Sequence, residues 1–210
     1  MTKESERVLL EKVEQALGRS LVVDTTCSTK RRWPKFADIR LDANPEVHPD
    51  IVADTRHLPF PDNFVGVLYC DPPHMVKSYK NHSALIDEST YIGLSPGTQK
   101  IVDGYRRFSM WNGMEEYRSW LRETAAEFYR VLKPGGVVHY KTTDGRRSHG
   151  TTICVDDALE TFCRAGFEVV EDDAQVSTGF FARWHAKHHG TVTLTHYLIF
   201  QKPRKQDQLE

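Results

Sequence analysis

Four short apolar runs in the first third of the chain each close on an aspartate. Leu21-Val22-Val23 ends in Asp24, a weaker run from Phe36 ends in Asp42, Ile51-Val52-Ala53 ends in Asp54, and Val65-Gly66-Val67-Leu68-Tyr69-Cys70 ends in Asp71. Short apolar runs bounded by polar punctuation read as buried strands. Strands in unrelated surroundings have no reason to end alike. Strands of a parallel sheet do, when their carboxyl ends line one shared ligand crevice. The pattern therefore bears on both the architecture and the place of the site.

The rest of the chain completes the alternation. Thr2 to Leu17 has helical spacing, with Gly18 as its stop. Met114 to Lys133 is the clearest helix: Tyr117, Trp120, Leu121, Thr124, Phe128, Val131 and Leu132 share one face, and Glu and Arg cover the other. Pro134-Gly135-Gly136 punctuates it, and Val137 to Lys141 follows as a strand. Val155 to Ala165 reads as a second helix, with Asp156 and Asp157 in its first turn and Gly166 after it. Phe167 to Val170 begins a sixth strand, and Thr191 to Gln201 is a seventh. The expected fold is α/β: a doubly wound, Rossmann-like, seven-stranded sheet, mostly parallel, with an antiparallel hairpin at one edge. One domain is expected over 1–203, with a long substrate-side loop or lid over 75–113 and a polar tail over 204–210.

Composition narrows the class. The chain of 210 residues holds no apolar run near the ~20 residues that span a bilayer, and its first seven residues are polar, so a soluble cytoplasmic protein with no membrane contact is expected. The net charge of -1 argues against binding duplex nucleic acid through many phosphates. Lys30-Arg31-Arg32 and Arg146-Arg147 are local basic clusters that read first as solvated surface. The four cysteines are far apart and form no C-x-x-C. His185 and His189 have the spacing of one helix face, but no acid completes a metal motif and Gly190 ends any helix there. No metal is expected.

Asp71-Pro72-Pro73-His74 is the most unusual short segment. Proline fixes φ, lacks an N–H and pushes the preceding residue into an extended conformation. A carboxylate and unspent carbonyls on such a rigid shelf can hold a substrate amino group by its hydrogens. The alternative is a plain turn that ends a strand. Tyr79, Tyr91, Tyr105, Phe108 and Trp111, with Lys80 among them, follow in the long loop. They either pack that loop onto the domain or form a stacking groove for single-stranded nucleic acid.

Taken together, Asp54-Thr55-Arg56-His57-Leu58-Pro59-Phe60-Pro61-Asp62-Asn63-Phe64, the Asp71–His74 shelf and Leu132-Lys133-Pro134-Gly135-Gly136, in this order, resemble a class I S-adenosylmethionine-dependent methyltransferase. The shelf is similar to the Asp/Asn-Pro-Pro-aromatic motif of enzymes that methylate amino groups in DNA and RNA. The resemblance implies S-adenosylmethionine (SAM) as cofactor. It places Asp24, Thr25, Thr26 and Cys27 in the first cofactor loop and Asp42 at the ribose hydroxyls. Asp54 and Thr55 would lie beside the adenine, and Asp71 with Pro72, Pro73 and His74 at the transfer site. Asp42 and Asp54 have structural alternatives, capping a turn or pairing with Arg56. His74 stands where Tyr or Phe is usual; it either stacks on a flipped or single-stranded base or serves as a general base. The first loop, Thr25 to Thr29, lacks the usual glycines. The implied reaction is methyl transfer to an amino nitrogen, with a base in DNA or RNA as the first candidate. A small molecule, a protein side chain, or an inactive binding module of the same fold are the alternatives.

Overall fold

Each apolar run becomes a strand in the computed structural model, which describes Lys12 and residues 15–27, 37–72, 75–76, 110–111, 113–143, 145–147, 150–152, 154–176 and 194–204. The strands are β1 (Val22–Asp24), β2 (Ile39–Asp42), β3 (Ile51–Val52), β4 (Val65–Cys70), β5 (Met75–Val76), β6 (Met110–Trp111), β7 (Leu132–Thr143), β8 (Gly145–Arg147), β9 (Gly150–Thr152), β10 (Glu168–Val176) and β11 (Leu194–Gln201). Two helices lie among the described residues, α1 (Met114–Val131) and α2 (Cys154–Arg164). The main sheet has seven strands in the order β10-β11-β7-β4-β1-β2-β3. β11 runs antiparallel to both neighbours, and the other pairings are parallel. This is the expected Rossmann-like sheet with its antiparallel edge. None of the described helices is long and apolar enough to cross a membrane.

The core follows from strand alternation. The register sets Leu68 beside Val138 and Cys70 beside Tyr140, and then Val138 beside Phe200 and Tyr140 beside Leu198. All six are buried on one face of the sheet. Phe162 of α2 stacks on Phe200 at 4.2 Å and meets Tyr140 at 5.2 Å. The buried face of α1 is Tyr117, Trp120, Leu121, Thr124, Ala125, Phe128 and Val131: the expected stripe with Ala125 added and without Leu132, which the structure places in β7 because the helix ends at Val131. Trp111 packs against it, 4.9 Å from Trp120 and 6.1 Å from Tyr117 between ring centroids.

Two junctions depend on long-range partners. β7 starts earlier than expected because Leu132 already pairs with Val65, and the register then shifts before Val137 joins Val67. Gly135 takes φ +81° in this irregular stretch, a conformation that favours glycine. Lys202, just past β11, is buried beneath the end of α1. Its ammonium donates to Tyr129 O (2.6 Å), Leu132 O (2.8 Å) and Asn63 Oδ1 (2.8 Å). It also lies 4.5 Å from the Tyr129 ring centroid. A cation on the last carbonyls of a helix satisfies acceptors that the helix cannot.

β3 ends one residue sooner than its apolar run, and Asp54 then turns the chain: the His57 N–H donates to Asp54 O at 2.9 Å. The expected N-terminal helix is described only at Lys12 and 15–17, which are helical, with Gly18 at φ +64° after them. The greater part of the expected 75–113 loop and the segment holding His185 and His189 lie outside the described residues.

Candidate functional site

β1 lies between β4 and β2, and the chain leaves it in opposite directions on its two sides. The carboxyl ends of β1 and β4 thus flank a topological switch point, where ligands of open α/β sheets bind. Asp24 ends β1 and is 2% exposed. Burial pushes its carboxyl up to about 7, against one hydrogen bond from the Thr26 N–H (3.1 Å) and the charge of Arg40. The negative charges of Asp42 and Asp71 push it up further. Acids from three strand ends, on both sides of the switch point, therefore gather at one edge of the sheet, with Asp24 between the other two.

The loop after β1 is turned inward. Thr25 donates its hydroxyl and its N–H to Tyr69 O, both at 2.9 Å. Thr26 Oγ1 accepts from the Asp71 N–H at 2.7 Å. Cys27 is buried, its N–H donating to Leu41 O at 3.0 Å. Burial pushes its thiol up to about 12, so it is no nucleophile. The Thr25 and Thr26 hydroxyls of this glycine-free loop are thus engaged by the sheet and the shelf.

Asp42 ends β2, where its Oδ1 accepts from the Asn44 N–H at 2.9 Å. Asn44 in turn caps the single turn Pro45–Val47 through the Glu46 N–H. Asp54 accepts from the Arg56 N–H (2.9 Å), Nε (3.0 Å) and Nη2 (2.7 Å). That guanidinium holds the carboxyl below its ordinary range. Pairing with Arg56 is thus what the structure shows for this residue. Thr55 is buried, its hydroxyl accepting from Trp120 Nε1 at 3.1 Å and lying 3.2 Å from Thr124 Oγ1. The following loop is fixed to α1 by Glu127, which accepts from the Leu58 N–H (2.7 Å), and by Arg130, which donates to Phe60 O (2.9 Å).

At the shelf, Asp71 follows β4 and Pro72 is buried; Pro73 and His74 lie outside the described residues. One site residue was not singled out from the sequence. Lys141, near the carboxyl end of β7, donates to Asp71 Oδ2 at 2.5 Å. A basic residue at the end of the run Val137 to Lys141, where the other runs end in acids, is the signal that points to it. Among the described residues, no group of three His, Cys, Asp or Glu is placed to hold a metal ion. A separate groove of about 480 Å³ lies between α1 and α2, lined by Arg118, Arg122, Asp157 and Arg164 among others, away from the strand-end acids.

This architecture, a seven-stranded Rossmann-like sheet, is shared with solved structures of diverse activity. The [4+2]-cyclase SpnF superposes with a TM-score of 0.55 at 15% identity, over 93% of this chain and 81% of that one. A SAM-dependent methyltransferase from Methanosarcina mazei gives 0.51 at 11%, over 89% and 93%. Geranyl diphosphate C-methyltransferase from Streptomyces coelicolor A3(2), solved with S-adenosyl-L-homocysteine, gives 0.52 at 10%, over 94% and 80%. At these identities the shared property is the fold. No protein-family model and no curated protein sequence matches the chain.

Proposed function

We propose that this chain is a SAM-dependent methyltransferase whose acceptor is an amino nitrogen of a base in DNA or RNA. One observation carries the reading: the parallel pairing of β1 with β2 and β4 sets Asp24, Asp42 and Asp71 at the same carboxyl edge of the sheet, on the two sides of the switch point. Acids gathered at strand ends suit a ligand with hydroxyl, amino and sulfonium groups.

The residues present fit such a ligand. Asp42 stands at a strand tip, with its carboxylate oriented by the Asn44 N–H, and there it would accept from ribose hydroxyls. The N–H groups of Thr25, Thr26 and Cys27 are engaged within the protein, so the first loop would offer backbone carbonyls, acceptors for the ammonium of the methionine end. Bound there, SAM would supply a methyl group: the acceptor nitrogen's lone pair takes the methyl carbon, sulfur keeps the bonding pair, and the nitrogen sheds a proton. The chain's contribution is alignment. Asp71 and the Pro72 carbonyl would accept the amino hydrogens and turn the lone pair toward the methyl group. The fixed φ of Pro72 would help hold those acceptors still.

Isothermal titration with SAM tests the reading, and no binding at millimolar cofactor would sink it. Asp42→Ala weakens that binding, whereas Asp71→Ala keeps the fold and removes transfer. Labelled methyl should pass from SAM to mixed nucleic acids and be lost after nuclease digestion. A second reading, a small-molecule acceptor, draws on the net charge of -1, which gives no general attraction to phosphates. Label that survives nuclease in a small-molecule fraction would favour it.

A further inference from the structure

The sheet register carries Lys141 to the side of Asp71. Tyr69 pairs with His139 across β4 and β7, and their rings stack at 4.4 Å. Side chains two residues further along each strand return to the same face. The next lateral pair is therefore Asp71 and Lys141, and they form an ion pair of 2.5 Å with side chains 35% and 28% exposed. Such a pair, partly withdrawn from water, is screened less than one on open surface.

We propose that Lys141 sets the charge of the acceptor end of the site. By keeping an ammonium on Asp71 it selects an uncharged amino group, such as an aromatic amine or an amide, over an alkylammonium. The inference rests on the reading of this crevice as a methyl-transfer site. A bare carboxylate attracts an alkylammonium and holds it protonated. A protonated nitrogen has no lone pair to give. The ammonium of Lys141 cancels that attraction and repels a second cation. An ionised carboxylate has about four lone-pair sites, so a neutral NH₂ can still donate to the shelf beside Lys141. Lys141 acts through Asp71 and is a specificity-determining, positioning residue.

The test compares wild type, Lys141→Met, Lys141→Gln and Lys141→Arg by isothermal titration at low ionic strength. SAM and S-adenosyl-L-homocysteine differ by a sulfonium charge, so their affinity ratio reports the local field. For a charge separation taken as about 8 Å and an effective dielectric of about 40, loss of the ammonium should shift the ratio toward SAM about fivefold in Lys141→Met and Lys141→Gln. Lys141→Arg should leave it near the wild-type value. n-Butylammonium, added to the complex with S-adenosyl-L-homocysteine, should bind the Met and Gln variants and not wild type or Lys141→Arg. An unchanged ratio, or equal binding of n-butylammonium by wild type and Lys141→Met, overturns the proposal. Failure of wild type to bind either thioether or sulfonium ligand would instead overturn the methyltransferase reading.

Discussion

Thr26 and Asp71, 45 positions apart in sequence, are joined by a 2.7 Å hydrogen bond from the Asp71 N–H to the Thr26 hydroxyl. The bond spans the switch point and ties the first loop to the shelf. Thr26→Val keeps the shape and deletes the acceptor, leaving a partly buried N–H unsatisfied. Expected is a loss of about 1–3 kcal/mol in urea unfolding, with weaker SAM binding; Thr26→Ser should retain both. A Val variant as stable as wild type would show the bond to be idle.

Asp24 makes stability depend on pH. Its folded carboxyl titrates at about 7 because of burial, against about 3.9 in an unfolded chain. The folded state holds this proton more tightly, so the contribution is fully present below about pH 4 and is lost as pH rises to about 7. Asp24→Asn keeps an acceptor for the Thr26 N–H and removes the charge. At pH 8 the variant should be more stable than wild type, by as much as about 4 kcal/mol for three pKa units. The difference should shrink on acidification. Thermal melts from pH 4 to 8 check this; a difference that grows toward low pH has the wrong sign.

The same proton predicts a linkage to cofactor. A ligand bearing cationic groups favours the ionised Asp24. SAM binding at pH 7 should therefore release protons, and its measured enthalpy should vary with the ionisation heat of the buffer. A buffer-independent enthalpy contradicts it.

Gly66 has no room for a side chain: a Cβ would stand 2.3 Å from Ser20 Cβ. Gly66→Ala should cost about 1–3 kcal/mol through overpacking. Adding Ser20→Gly should recover part of that loss, a coupling that a double-mutant cycle in denaturant will read.

Lys202 is a buried cation with three oxygen partners. Lys202→Met leaves the Tyr129 and Leu132 carbonyls unsatisfied, and an expected ~2–4 kcal/mol is lost. Lys202→Arg should not restore it, because a planar guanidinium does not fit a compact three-way cradle. Denaturant midpoints of the two variants give the comparison.

Legibility in the sequence followed the range of each interaction. Val65–Cys70 and the buried face of α1 depend on local periodicity, and both stand where the sequence puts them. β10 was visible only at its start. Glu171, Asp172 and Asp173 hide the strand, because on this exposed edge the backbone pairing with β11, not burial, holds them extended. β7 looked shorter because Pro134-Gly135-Gly136 reads as a turn, whereas the structure absorbs it as an irregularity between paired residues. The strand-end acids were legible as a set. Their partners divided by distance: Arg56 lies two residues from Asp54, but Lys141 meets Asp71 only through a register 70 positions apart.

The Lys202 cradle sets an order on biosynthesis. The helix that it seals is made some 70 residues earlier, and β7 needs β11 as its outer neighbour. A nascent chain that has emerged only as far as α2 carries an open sheet margin and a helix end with dangling carbonyls. Ribosome-bound intermediates should therefore stay protease-sensitive at the α1–β7 joint until β11 has cleared the exit tunnel.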